Sequence, residues 1–366
     1  MVEWLAGNRI IGTSTERTTG AGFNPADAVS GGWKEIGRTT LGSANSTIDI
    51  TSLADKRYLM ILANPLPSGT LASALRVGNG SFDSGNNYAI RWSANGGGDS
   101  TRGGKNLMAL DNVNQTNPQF HVGYIANKSD KEKLTIIHST GQTSAGAGNA
   151  PDRVEQVHKW ANTSNVINQI QFLDDTAGTD IGTGSEVVVL GWDPDDTHTT
   201  NFWEELASVT LGTDGDVLSS GTFTAKKYLW VQAFIKNSGT SARYNTEMTF
   251  NGDTGSNYSE RRSLDGSSDA TSVNQTKIMN SGVTGSDDDL WCLNMFIINN
   301  SANEKLCIGH GFDTYAGSGA GTAPSQRFEK VAKWANTSSQ ITNITITNSD
   351  TSNYDAISEL RVWGSN

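Results

Sequence analysis

Lys159-Trp160-Ala161-Asn162-Thr163-Ser164-Asn165 returns almost letter for letter as Lys333-Trp334-Ala335-Asn336-Thr337-Ser338-Ser339. A seven-residue near-identity containing a tryptophan says that one unit is written twice, and such a repeat outranks any local pattern in deciding a fold. Other pairs agree. Trp33-Lys34-Glu35-Ile36 answers to Trp203-Glu204-Glu205-Leu206, and Lys56-Arg57-Tyr58-Leu59 to Lys226-Lys227-Tyr228-Leu229, both at a shift of 170. Asp83-Ser84-Gly85-Asn86-Asn87-Tyr88 answers to Asp253-Thr254-Gly255-Ser256-Asn257-Tyr258 at the same shift. Glu132-Lys133-Leu134 and His138 answer to Glu304-Lys305-Leu306 and His310 at 172, and Trp160 to Trp334 at 174. A period this long is a duplicated domain, not a solenoid turn.

The 366 residues suffice for two domains. Each copy, of about 165 residues, is long enough to bury a core without metals or disulfides. A net charge of −11 excludes a basic surface that tracks phosphates, so no nucleic-acid partner is expected. Charged residues make up only 18% against 40 glycines, so Ser, Thr, Asn and Gly clothe the surface; that suits loop-rich β structure better than long helices. The two cysteines, Cys292 and Cys307, face Phe120 and Thr135 in the first copy. A framework disulfide would recur in both copies, so they read as buried thiols on strands. The opening residues hold no apolar signal region, and no run approaches the ~20 residues of a membrane helix. The expected setting is a cytosol, or a particle assembled there, without membrane insertion.

Short runs rich in Ile, Val, Tyr and Thr predict strands at 46–50, 58–63, 88–93, 120–126, 134–138, 167–172 and 187–190. The second copy repeats them at 228–235, 290–298, 306–310, 341–346 and 360–363. Residues 154–160 fit a strand or a short helix equally. With Gly, Asn, Asp and Ser between the runs and no helical pattern, the fold class is all-β: two tandem β-sandwich, jelly-roll-like domains. The domains are residues 33–192 and 203–366, joined by an acidic linker, 193–202. Residues 1–32 lie outside the repeat and read as an extended N-terminal arm, with Trp4, Ile10, Ile11 and Phe23 as apolar anchors that dock on a partner.

The chain is poor in catalytic patterns. Among the five histidines only His138 and His310 pair across the copies, each ending an apolar strand; the reading is a strand-end imidazole bonded to a loop. No nucleophile elbow, HExxH or Cys/His metal spacing is present, so no catalytic, cofactor-binding or metal residues are assigned. The 83–88 and 253–258 loops offer hard oxygens that calcium accepts, but they equally form turns in which Asp and Asn bond their own backbone, with the tyrosine plugging the sandwich end. The glycine loops 146–151 and 317–324 lack the Lys-Ser/Thr ending of a phosphate cradle and read as flexible. Trp33, Trp203, Trp160 and Trp334 recur and read as core anchors. Trp92 and Trp291 do not recur, which makes them candidates for glycan or subunit contact as well as for partial burial. Arg91 and Arg261, recurring with Asp99 and Asp269, read as structural ion pairs or as glycan and partner contacts.

The segments Trp33 to Gly42, Glu186 to Pro194 and Leu360 to Gly364, with the arm motif Trp4-Leu5-Ala6-Gly7-Asn8-Arg9-Ile10, resemble the tandem-repeat, tail-fibre-like structural proteins of marine tailed viruses. The resemblance implies a virion component and brings no catalytic residues. On it rests the expectation of a homo-oligomer, a trimer, at the particle surface. The arm would dock on other virion proteins and distal loops would meet host surface glycans. A double jelly-roll shell protein, a cellular carbohydrate-binding or adhesion module and, least favoured, a glycan-cleaving enzyme are the other readings.

Overall fold

The computed structural model describes residues 29–30, 32–110, 116–176, 178–194, 196–198, 200–238, 243–284, 290–314, 320–321 and 323–366. Within these the chain is all-β, and each copy is a sandwich of an eight-stranded and a four-stranded antiparallel sheet. In the first copy the large sheet runs Lys34–Thr40, Glu186–Trp192, Tyr58–Asn64, Gln119–Ala126, Lys133–Gly141, Asp152–Trp160, Tyr88–Ala94, Ser100–Lys105. The small sheet runs Thr47–Ile50, Gln169–Asp174, Ser73–Gly78, Met108–Ala109. The second copy repeats both orders strand for strand. The ambiguous 154–160 segment is strand. Among the described residues no helix is long and apolar enough to cross a membrane.

Each sandwich has its own core. Ile48, Val77, Ile170 and Phe172 of the first small sheet meet Leu59, Ile61, Val187 and Val189 of the large one. Leu218, Met248, Phe250 and Ile346 meet Leu229, Val231, Leu293 and Val362 in the second copy. Alternate residues of the same large-sheet strands point the other way and form a third core between the copies. Met60, Leu62, Phe120, Val122, Val188 and Leu190 pack there with Tyr228, Trp230, Phe296, Ile308, Val331 and Trp363. The molecule is therefore four layers deep, with the large sheets face to face. That explains why central strands such as Tyr58-Leu59-Met60-Ile61-Leu62-Ala63 are apolar without alternation: both their faces are buried. Trp203 is an anchor of this shared core rather than of its own sandwich, and half-buried Trp33 packs against it through Tyr124.

The copies do not meet symmetrically. Leu306, Ile308 and Val331 are 0%, 3% and 1% exposed, whereas their counterparts Leu134, Ile136 and Val157 are 58%, 49% and 45% exposed. The difference arises because Leu306, Ile308 and Val331 face into the shared core and their counterparts do not; the 144–151 loop of the first copy also lies over the second. Lys333 Nζ donates to Ser144 O (2.7 Å), Ser259 Oγ to Asn149 O (2.9 Å), Arg261 Nε to Pro151 O (2.9 Å) and Asn274 N to Ala147 O (2.8 Å). The glycine loop expected to be flexible is thus clamped at a domain boundary. Of its twin, residues 317–319 and 322 lie outside the described set, as do the arm anchors Trp4, Ile10, Ile11 and Phe23. Val29–Ser30, just before the first copy, pairs antiparallel with Thr197–His198, just before the second. The linker is pinned by ion pairs from Lys56 to Asp196 and from Arg57 to Asp193.

Candidate functional site

The repeated Lys-Trp-Ala-Asn stretch ends each large-sheet strand Asp152–Trp160 and Gln326–Trp334, and its tryptophan is the centre of a polar node. Trp160 Nε1 donates to Asp83 Oδ2 at 2.7 Å, and Trp334 Nε1 to Asp253 Oδ2 at 2.7 Å. The other carboxylate oxygen of Asp83 accepts from Gly85 N (2.8 Å) and Asn87 Nδ2 (3.2 Å). Tyr88 OH donates to Asp83 O at 2.9 Å and closes the sandwich end, as Tyr258 OH does to Asp253 O at 3.0 Å. Over each indole, 5.6 Å from its centre, sits the ammonium of a buried lysine, Lys133 or Lys305. Lys133 Nζ donates to Lys131 O (2.9 Å) and Asn162 O (2.8 Å).

Burial pushes the Asp83 carboxyl up, but hydrogen bonds from Trp160 and Asn87 outweigh it and hold it below the usual carboxylate range. Burial lowers Lys133, and brings Lys305 down to about 8. With both oxygens taken by N–H donors, the Asp83 carboxylate closes a turn and anchors an indole; its lone pairs do not converge on a cation. Beside it opens a polar cleft of about 330 Å³ lined by Asn79, Ser81, Asp83, Ser84, Asn162 and Asn165.

A second constellation lies between the large sheets and joins residues that the repeat makes equivalent. The rings of His138 and His310 are 4.2 Å apart, inclined at 61°. Across its strand pair His138 sits opposite Glu155, and His310 opposite Glu329. Glu155 Oε1 lies 3.6 Å from His310 Nε2 and 2.7 Å from Arg153 Nη1. Arg153 reaches into the second copy to bond Asp269 through both Nη2 (2.6 Å) and Nε (3.1 Å). The close approach needs Gly96: its φ of +73° suits glycine, and a Cβ there would fall 2.4 Å from Asp269 N. Burial pushes the Glu155 carboxyl up, yet His310 and Arg153 hold it down at about 2. Burial holds His138 at about 3, so its imidazole is neutral. Glu329 is raised by burial and by the Glu155 charge.

The residues singled out from sequence fall in different places. Trp291 is 0% exposed in the second core and stacks on Phe328. Its ring has no face free for a sugar or a neighbouring subunit, which corrects the contact reading. Trp92 is nearly buried against Ile90 and Val154, with the Arg102 guanidinium 4.7 Å above its ring. Exposed Arg91 pairs with Asp99 at 3.2 Å. Arg261 does not pair with Asp269; it holds the first copy's loop, and Asp269 takes Arg153 instead. The His–Glu–Arg constellation went unrecognised although its signal was present: His138 and His310 were the one histidine pair shared by the copies.

No family model and no curated protein matches the chain. Among solved structures it is similar to the LG4-5 domains of mouse laminin alpha1, at 9% identity over 89% of this chain and 92% of that one, with a TM-score of 0.21. It is also similar to a mutant of HCR/D, at 10% identity over 85% and 88% of the two chains, again with a TM-score of 0.21. Superpositions this loose carry no information about function.

Proposed function

We propose that this protein is a non-enzymatic structural component of a virus particle. It would serve as a rigid two-domain module of a tail fibre, spike or capsid decoration, assembled as a homo-oligomer, and meet host surface glycans through polar end loops. One observation supports this reading above others: the duplicated polar side chains around Trp160 and Trp334 are spent on one another and on the backbone. The Trp160 indole donates to the Asp83 carboxylate, the Tyr88 hydroxyl to the Asp83 carbonyl, and the Lys133 ammonium, over the indole, to the carbonyls of Lys131 and Asn162. Such a node holds shape; it offers no free acid, base or nucleophile to a substrate. The cleft beside it, lined by amides, hydroxyls and the Asp83 carboxylate with Phe82 and Trp160 at its wall, has the polarity that saccharide hydroxyls require.

Quantitative mass spectrometry of purified particles of the encoding virus tests this. Tens of copies per particle are expected. Hundreds would replace the fibre with a shell, and absence would end the virion reading. Cleavage of a glycan by the purified chain would end the non-enzymatic one.

A further inference from the structure

His138 and His310 come from equivalent positions of the two copies and meet across the domain boundary. One ligand atom from each of His138, Glu155 and His310 falls within 4.8 Å of the other two. His138 Nδ1 is buried and has no hydrogen-bond partner. Buried polar atoms are nearly always partnered, and each exception calls for a reason. Glu155 is itself fixed from behind by Arg153, which is locked on Asp269. Metal-ligating side chains are typically oriented by such outer partners.

We propose that His138, Glu155 and His310 bind a divalent transition-metal ion of the zinc class, which ties the two sandwiches together at their boundary. Two imidazoles and one carboxylate suit zinc, cobalt or nickel. The set lacks the thiolate that would favour copper(I) and the oxygen shell that calcium needs. Ligands at 2.0–2.1 Å from a tetrahedral ion lie about 3.4 Å apart, so side-chain rotations must draw the three atoms inward. Glu329, the cross-strand neighbour of His310, supplies a further carboxylate. Arg153 and Arg327 are paired with Glu155, Asp269 and Glu329, and Lys330, which also borders the site, is paired with Glu260, so a divalent cation meets no unpaired positive charge among these groups. The ion belongs to neither copy alone: His138 and Glu155 come from one, His310 from the other.

The test uses the full chain, stripped with a chelator. It is titrated with zinc chloride by calorimetry and with cobalt(II) by visible absorption. The expected result is one ion per chain at micromolar affinity or tighter, an intense tetrahedral cobalt band, and a raised thermal midpoint with zinc. His310→Gln and Glu155→Gln keep side-chain volume; each is expected to weaken binding about tenfold or more with unchanged circular dichroism. Absence of saturable binding, or equal binding by the parent chain and both variants, would overturn the site.

Discussion

Arg153 of the first sandwich and Asp269 of the second form a two-pronged ion pair with side chains only 7% and 1% exposed. The pair is cut off from water and spans the domain boundary; removing Asp269 leaves the Arg153 guanidinium to Glu155, 2.7 Å away on its own strand, and takes away its two hydrogen bonds into the second copy. Because Arg153 keeps Glu155, Asp269→Ala should cost about 1.5–3 kcal/mol, the range for losing hydrogen bonds to a charged group, measured by chemical denaturation. Replacing both residues by apolar ones of similar volume should cost much less. A loss below about 1 kcal/mol for Asp269→Ala would mean that the pair contributes nothing across the boundary.

The Trp160–Asp83 bond and its twin Trp334–Asp253 have the same length, 2.7 Å, and the same flanking lysine. Each aspartate accepts the hydrogen bond of a largely buried indole N–H. Asp83→Ala and Asp253→Ala should each destabilise the chain by about 2–3 kcal/mol, the cost of orphaning a buried donor that had a charged partner. Thermal unfolding of the two variants side by side checks this. Midpoints that differ widely would show that the copies do not share one node.

How much of this was written in the sequence depends on what each residue reports. The duplication was legible because Trp160, Asp83 and Lys133 form one contact set and were retained together. Central strands were legible because apolar runs mark burial. Ser100–Lys105 and Ala270–Gln275 were missed because they are polar edge strands with almost no buried side chain to set a period. The third core was hidden in plain view: a run such as Val187-Val188-Val189-Leu190 signals burial on both faces but does not name what covers the second face. The Arg153–Asp269 pair was illegible because its partners sit in unlike positions of the two copies, and repeat alignment pairs like with like.

His158 lies buried with neither ring nitrogen hydrogen-bonded, and burial holds it at about 3 against an ordinary value of 6.5. The unfolded chain takes up this proton near pH 6.5, while the folded chain resists it until about pH 3. The associated stability is thus fully present above pH 6.5 and is lost as pH falls toward 3. His158→Leu should flatten the acid limb of a stability-against-pH curve across that window. At neutral pH it should be neutral or stabilising by about 1 kcal/mol, since it removes an unsatisfied polar group. An acid limb as steep as that of the parent chain would show that the imidazole is solvated.

Leu62 is fully buried, yet its side chain points away from its own sandwich and into the core shared with the second copy. If that core couples the sandwiches as strongly as its aromatic content implies, the two halves cannot unfold separately. Calorimetry should then show one cooperative transition for both copies. Leu62→Ala should lower stability by about 2–5 kcal/mol, the range for emptying such a site. The loss must appear in both halves. Near-ultraviolet signals from buried Trp334, in the other copy, should shift with the same midpoint as the whole chain. A variant in which the second sandwich keeps its own unchanged transition would show that the four layers are two independent domains resting against each other.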